Sequence, residues 1–207
     1  MSQTIAESTY SGFLAALASA NPTPGGGAVA GVIGATSAAL GEMVARYSLG
    51  RSDDPEQERS IGAILPELSR ARALLLGLAD EDAAAYTVLN SAFKVPKSDP
   101  TRAESIRTGA ATAIQPPLAM LATAADLARL LESLAPISNP NLRSDLAIAA
   151  SLASCTASAA YWNIRANARL LGASGRALLT GAGASVEEIG ARCGSIETAC
   201  AGNEDPG

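Results

Sequence analysis

Asp82 is a carboxylate on an apolar face. Ile61, Leu65, Leu68, Ala71, Leu75 and Leu78 recur at steps of three and four, and the same face continues through Asp82, Tyr86 and Leu89. Asp80 and Glu81 fall off that stripe and read as solvated. A carboxylate turned inward costs several kcal/mol unless it is paired, hydrogen-bonded or protonated. Such a residue is either anchored by an Arg or Tyr or kept for proton transfer, and the spacing leaves both readings open. The sequence contains no histidine, so any acid–base chemistry falls to Asp, Glu, Lys, Tyr, Cys or the substrate.

Two further stretches are chemically distinctive. Asn21-Pro22-Thr23-Pro24-Gly25-Gly26-Gly27 sets two prolines and then three glycines ahead of a small-residue helix. Bare amides at a helix start can receive an anionic or polarised group. Without a following Lys-Ser/Thr the pattern is a weak phosphate signal, and close helix packing explains the glycines at least as well. Lys94 and Lys97 are the only lysines beside thirteen arginines, and both lie in Phe93-Lys94-Val95-Pro96-Lys97. They read either as a solvated loop or as point charges for an anionic ligand group.

The elements that must position these residues are helices. Of the 207 residues 48% are hydrophobic and 3% aromatic, a core of Ala, Gly and Leu that favours closely packed helices over a β-sandwich. The pattern gives an all-α, antiparallel bundle of about six helices, several long and kinked at prolines. These span 4–20, 27–49, a third reaching Phe93 that Pro66 bends or divides, 101–133 with a kink after Gln115 at Pro116-Pro117, Asn141 or Ser144 to 171, and 173–200 broken at Gly181 and Gly183. Residues 1–201 form one domain and 202–207 a disordered tail. Asn141 is a natural N-cap, with Asp145 in the first turn after it. Asn163 and Asn167 share a face. Asp145 stands roughly 27 Å from Asn163 on a straight helix, which leaves helix packing, two ends of a long ligand or two subunits' sites as readings.

A net charge of -5 and a pI near 4.8 argue against nucleic acid and anionic membranes as partners. The N-terminus lacks the form of a signal peptide, and the apolar stretches are expected to be broken by Arg, Glu or Asp before spanning length, so a cytoplasmic protein is expected. Cys155, Cys193 and Cys200 lack metal-ligand spacing and read as reduced thiols, with Cys155 filling the core.

Taken in order, Pro22-Thr23-Pro24-Gly25-Gly26-Gly27, Asp80-Glu81-Asp82 with Ala85-Tyr86, Ala92-Phe93-Lys94-Val95-Pro96-Lys97 and Asn139-Pro140-Asn141-Leu142-Arg143-Ser144-Asp145 resemble the C-terminal family of formiminotransferase-cyclodeaminases. That family includes methenyltetrahydrofolate cyclohydrolases and formiminotetrahydrofolate cyclodeaminases, and the likeness runs over about residues 10–170. It implies an all-helical homodimer that binds a reduced folate and needs neither metal nor cofactor. On this resemblance Asp82 is the catalytic acid–base group. Thr23, Pro24, Gly25, Gly26, Gly27, Tyr86, Asn139, Asn141, Ser144 and Asp145 are substrate-binding, and Lys94 and Lys97 meet the carboxylates of the glutamyl tail. Tyr86 stands one turn beyond Asp82, placed to hydrogen-bond it or to pack. Hydrolysis of 5,10-methenyltetrahydrofolate is the expected reaction, favoured by the lack of an attached transferase domain. Cyclodeamination is the second expectation, and a non-catalytic helical binding or assembly protein the third.

Overall fold

The computed structural model describes residues 4–202, in which every regular element is helical. Seven α-helices follow one another: α1 (Tyr10–Leu17), α2 (Gly26–Ser48), α3 (Pro55–Lys94), α4 (Arg102–Ala113), α5 (Gln115–Leu134), α6 (Arg143–Ala168) and α7 (Gly172–Ala201). Three short 3-10 turns complete the described chain, at Ala135–Ile137, Pro140–Leu142 and Arg169–Leu171. Five of the seven helices are long, which matches the expected all-α antiparallel bundle.

The fold is built round α2. Its small residues let α3 and α6 close in from two sides, both antiparallel to it. Toward α3, Gly27 meets Asp82, Gly31 meets Leu75 and Ala79, and Gly41 meets Leu68. A Cβ on Gly31 would lie 2.6 Å from the Leu75 carbonyl oxygen and 2.8 Å from Ala79 Cβ, so only glycine permits this approach. Toward α6, Gly26 meets Asn163, Gly34 meets Thr156, and Ser37 Oγ donates to the Ala149 carbonyl at 2.6 Å. The interior is then filled by Leu68, Leu75, Leu127, Leu131, Leu146 and Ile164, all fully buried. Helix α7 lies along α6, where Ser151 Oγ donates to Glu197 at 2.6 Å.

Helix α2 corrects one expectation. It has 23 residues and an 18-residue window of mean hydropathy 1.5, long and apolar enough to cross a membrane. Here that apolarity is spent on helix packing. Glu42, facing α3, is buried and is held by Arg72 Nε at 2.7 Å and by Arg46 at 3.4 Å.

Helix limits differ from the sequence reading where side chains or neighbours override local propensity. The first helix is shorter than expected, capped by Thr9 accepting from the Gly12 amide. Helix α3 passes through Pro66 undivided. Pro66 and Gly62, the residue whose carbonyl loses its donor, are both exposed, so water can satisfy that group. Pro116 and Pro117 do more than kink the fourth helix: they divide it at Ile114 into α4 and α5. The Ala113 carbonyl freed by Pro117 accepts from Asn167 Nδ2 at 3.1 Å. Gly181 and Gly183 leave α7 unbroken, because Ala182 between them is buried in the core. Asn139 takes the cap expected of Asn141: its Oδ1 accepts from the Asn141 amide at 3.0 Å to open the 3-10 turn, and α6 starts behind it without a side-chain cap. Cys155 is exposed, and Cys193 is the cysteine in the core, its thiol pushed up to about 11 by burial. Of the expected tail only Gly202 is described; 203–207 lie outside the described residues.

Candidate functional site at the N-terminus of α2

Helix α3 carries Asp82 to the first turn of α2. The carboxyl group lies directly against Gly27, where a Cβ would run into Asp82 Cγ and both of its oxygens. The glycine therefore makes room for the carboxylate. The periodicity that put Asp82 on the inner face is obeyed, with Leu75, Leu78 and Leu89 of the same stripe buried. Among the described residues Asp82 has neither an ion pair nor a hydrogen bond. Tyr86 is 40% exposed and does not bond to it, so neither the Arg nor the Tyr anchor is realised. Half-buried with no partner, the carboxyl is pushed up from 3.8 to about 6, and burial is the cause.

The α2 terminus supplies the complementary groups. Gly25 precedes the helix in extended conformation without a side-chain cap, and the first helical bond runs from the Val29 amide to the Gly25 carbonyl at 3.1 Å. The amides of Gly26, Gly27 and Ala28 thus point out of the helix end with its positive dipole. From the other side α6 brings Asn163, whose Oδ1 lies 3.6 Å from the position of a Cβ on Gly26. A carboxyl group with a raised pKa, free amides and a fixed side-chain amide converge there, which suits hydrolysis or elimination at a polarised carbon. Asn163 is absent from the motifs read from sequence. Its four-residue spacing from Asn167 was visible, but the partner across the helix interface was not.

Beside this point, Thr23 and Pro24 line a cleft of about 640 Å³ with Phe13, Asp80, Ala84 and Thr87. The N-terminal segment forms its other wall, held by the Ile5 amide donating to Asp80 at 2.9 Å and by Phe13, buried with Ala28 and Ala79. Ala84 and Thr87 are roughly 140 to 160 degrees round α3 from Asp82, so cleft and carboxylate occupy different faces of that helix.

The remaining residues are not brought together in one chain. Lys94 and Lys97 are exposed at the far end of α3, and twelve residues of helical rise put Lys94 roughly 18 Å from Asp82. The Asn139 amide donates to Ser48 Oγ at 2.8 Å, which fixes Asn139, Asn141, Ser144 and Asp145 at the opposite end of α2, roughly 30 Å from Gly27. Among the described residues no group of three Cys, Asp or Glu side chains is placed to hold a metal ion.

This arrangement sits on a chain whose residues 9–176 match the family model described as formiminotransferase-cyclodeaminase. The chain belongs to that family. It is 31% identical over 169 residues to formimidoyltransferase-cyclodeaminase from Mus musculus, covering 80% of this chain and 31% of that protein. The chain thus spans about a third of the mouse protein's length. It is 32% identical over 165 residues to methenyltetrahydrofolate cyclohydrolase from Methylorubrum extorquens, covering 78% of this chain and 79% of that one. The crystal structure of formiminotetrahydrofolate cyclodeaminase from Thermotoga maritima superposes with a TM-score of 0.82 at 27% identity, covering 95% of each chain.

Proposed function

We propose that this protein hydrolyses 5,10-methenyltetrahydrofolate to 10-formyltetrahydrofolate, with Asp82 as the acid–base group. The observation that carries the reading is the Asp82 carboxyl against Gly27, without a partner and with its pKa near 6. The substrate is a cationic amidine whose bridging carbon is already electrophilic, so it calls for a held water and a modest base rather than a metal. The likeness to the Methylorubrum extorquens cyclohydrolase, covering 79% of that protein, supports the choice of reaction.

In the mechanism, ionised Asp82 faces the cation and accepts a proton as water oxygen bonds to the bridging carbon. The electrons of the carbon–nitrogen double bond return to nitrogen. Asp82 then protonates the departing ring nitrogen while the carbon–nitrogen bond breaks and the carbinol oxygen forms the formyl group, releasing one proton overall. The Gly26 to Ala28 amides hold polar substituents of the folate. Lys94 and Lys97 are assigned to the glutamyl tail.

Cyclodeamination is the second reading, favoured by the likeness to the Thermotoga maritima enzyme over 95% of both chains. There the same carboxyl would move a proton to the departing ammonia. Loss of methenyl absorbance, measured beside ammonia release from formiminotetrahydrofolate, separates the two. Activity on the first substrate alone is expected. Ammonia release alone replaces it with the second reading, and inactivity on both points to the non-catalytic scaffold.

A further inference from the structure

Asn163 and Asp82 meet the same helix end from opposite neighbours. Asp82 of α3 lies on Gly27, and Asn163 of α6 faces the adjacent Gly26. Among the described residues the Asn163 side chain keeps its Oδ1 and one Nδ2 hydrogen without a partner. Its Nδ2 donates one hydrogen to the Ala159 carbonyl at 2.9 Å, one turn back on α6, while Oδ1 and Nδ2 lie 3.6 and 3.7 Å from the position of a Cβ on Gly26, so Oδ1 is the acceptor this side chain offers at the α2 terminus. Asn167, one turn further on, differs: its Nδ2 closes the Ala113 carbonyl at the break between α4 and α5. Two asparagines on one face thus divide between a helix-joining bond and a side-chain amide set beside the candidate site.

A nucleophilic water has two hydrogens to donate and a lone pair to direct. We propose that Asn163 Oδ1 is the second acceptor for that water, orienting it beside Asp82. One hydrogen points to the Asp82 carboxylate and transfers to it as the oxygen–carbon bond forms. The other stays on oxygen, held by Asn163, and becomes the hydroxyl hydrogen of the tetrahedral adduct, while the π electrons of the attacked carbon–nitrogen bond move to nitrogen. With both hydrogens directed, the lone pair is aimed rather than averaged over orientations. This inference rests on the hydrolase reading and on Asp82 as its base.

The test compares Asn163→Ala, Asn163→Asp and Asn167→Ala with the wild type on 5,10-methenyltetrahydrofolate, with thermal melting to confirm folding. Asn163→Ala is expected to lower kcat roughly 100-fold with KM changed less than about threefold, the split of a residue that acts on the nucleophile rather than on folate binding. Asn163→Asp keeps an acceptor of the same size but loses the bond to the Ala159 carbonyl and adds a like charge beside Asp82, so it is expected to recover only part of that loss and to shift the rise of kcat with pH upward. Asn167→Ala is expected to retain kcat while melting lower. A folded Asn163→Ala with near wild-type kcat overturns the proposal, as does an equal loss of kcat in Asn167→Ala, or an Asn163→Asp whose kcat rises with pH as the wild type's does. If wild-type protein hydrolyses no methenyl substrate, the hydrolase reading and this inference fall together; in the other outcomes only the role of Asn163 falls.

Discussion

Gly27 and Asp82 share one space: the carboxyl group occupies the volume that a side chain at position 27 would need. Gly27→Ala must displace the carboxylate or open the α2–α3 crossing. It is expected to cost about 1 to 3 kcal/mol in urea unfolding and to remove most turnover. Gly31→Ala, which crowds the Leu75 carbonyl and Ala79 in the same interface, should cost similar stability while sparing more activity per folded molecule.

Asp82→Asn separates charge from shape. Removing a carboxylate that is ionised and half-buried at pH 8 relieves its desolvation, and after allowance for its partial exposure a gain of about 1 to 2 kcal/mol is expected. Turnover should fall at least roughly 100-fold while folate still binds. Full activity in this variant would remove Asp82 from the mechanism.

The pH dependence follows from the same group. With the ionised carboxylate proposed as the base and its pKa near 6, kcat/KM should rise through about pH 6 and level off above it. Stability moves the other way. The folded-state pKa is raised from 3.8, so the contribution of protonated Asp82 is fully present below 3.8 and is lost as pH rises through about 6. Denaturation series on wild type and Asp82→Asn should diverge across that window, with the variant flatter.

Glu42 gives a prediction away from the site. It is buried on α2, with Arg72 Nε at 2.7 Å across from α3. Arg72→Ala leaves that carboxylate with Arg46 alone and should cost about 2 to 3 kcal/mol, less than a fully enclosed pair because Arg72 is partly exposed. KM for folate should not change. A KM effect comparable to the stability loss would place this pair in substrate binding instead.

Lys94 and Lys97 test the reach of the substrate. Exposed at the end of α3, they stand too far from Asp82 to touch the reacting carbon. Lys94→Ala with Lys97→Ala should raise KM more for polyglutamylated than for monoglutamylated folate, with kcat preserved. Equal KM values for the two substrates would remove both lysines from tail binding.

Much of this was legible in the sequence because it depends on local periodicity. The apolar stripe through Ile61, Leu68 and Leu75 specified α3 and singled out Asp82. The small residues after Gly25 specified a helix that others approach closely. The helix ends were less legible. Pro66 is harmless in α3 because its lost hydrogen bond faces water, whereas Pro116-Pro117 end a helix because they remove two consecutive donors. No single-residue propensity distinguishes these cases.

The sequence by itself determined the helical class, the stripe, the glycine-rich helix start and the absence of histidine, which leaves any acid–base chemistry to Asp, Glu, Lys, Tyr, Cys or the substrate. Only the tertiary structure decided which groups meet. It set Asp82 on Gly27 and Asn163 by Gly26, and it fixed Asn139 to Asp145 at the other end of α2, against Ser48. The physical reason lies in the antiparallel packing of α3 and α6 on α2. Periodicity states which face of a helix turns inward, but the length at which two helices cross is set by close contacts such as Gly31 on Leu75 and Gly34 on Thr156. Those contacts join residues far apart in the chain, and they raise the pKa of Asp82 by removing water from it.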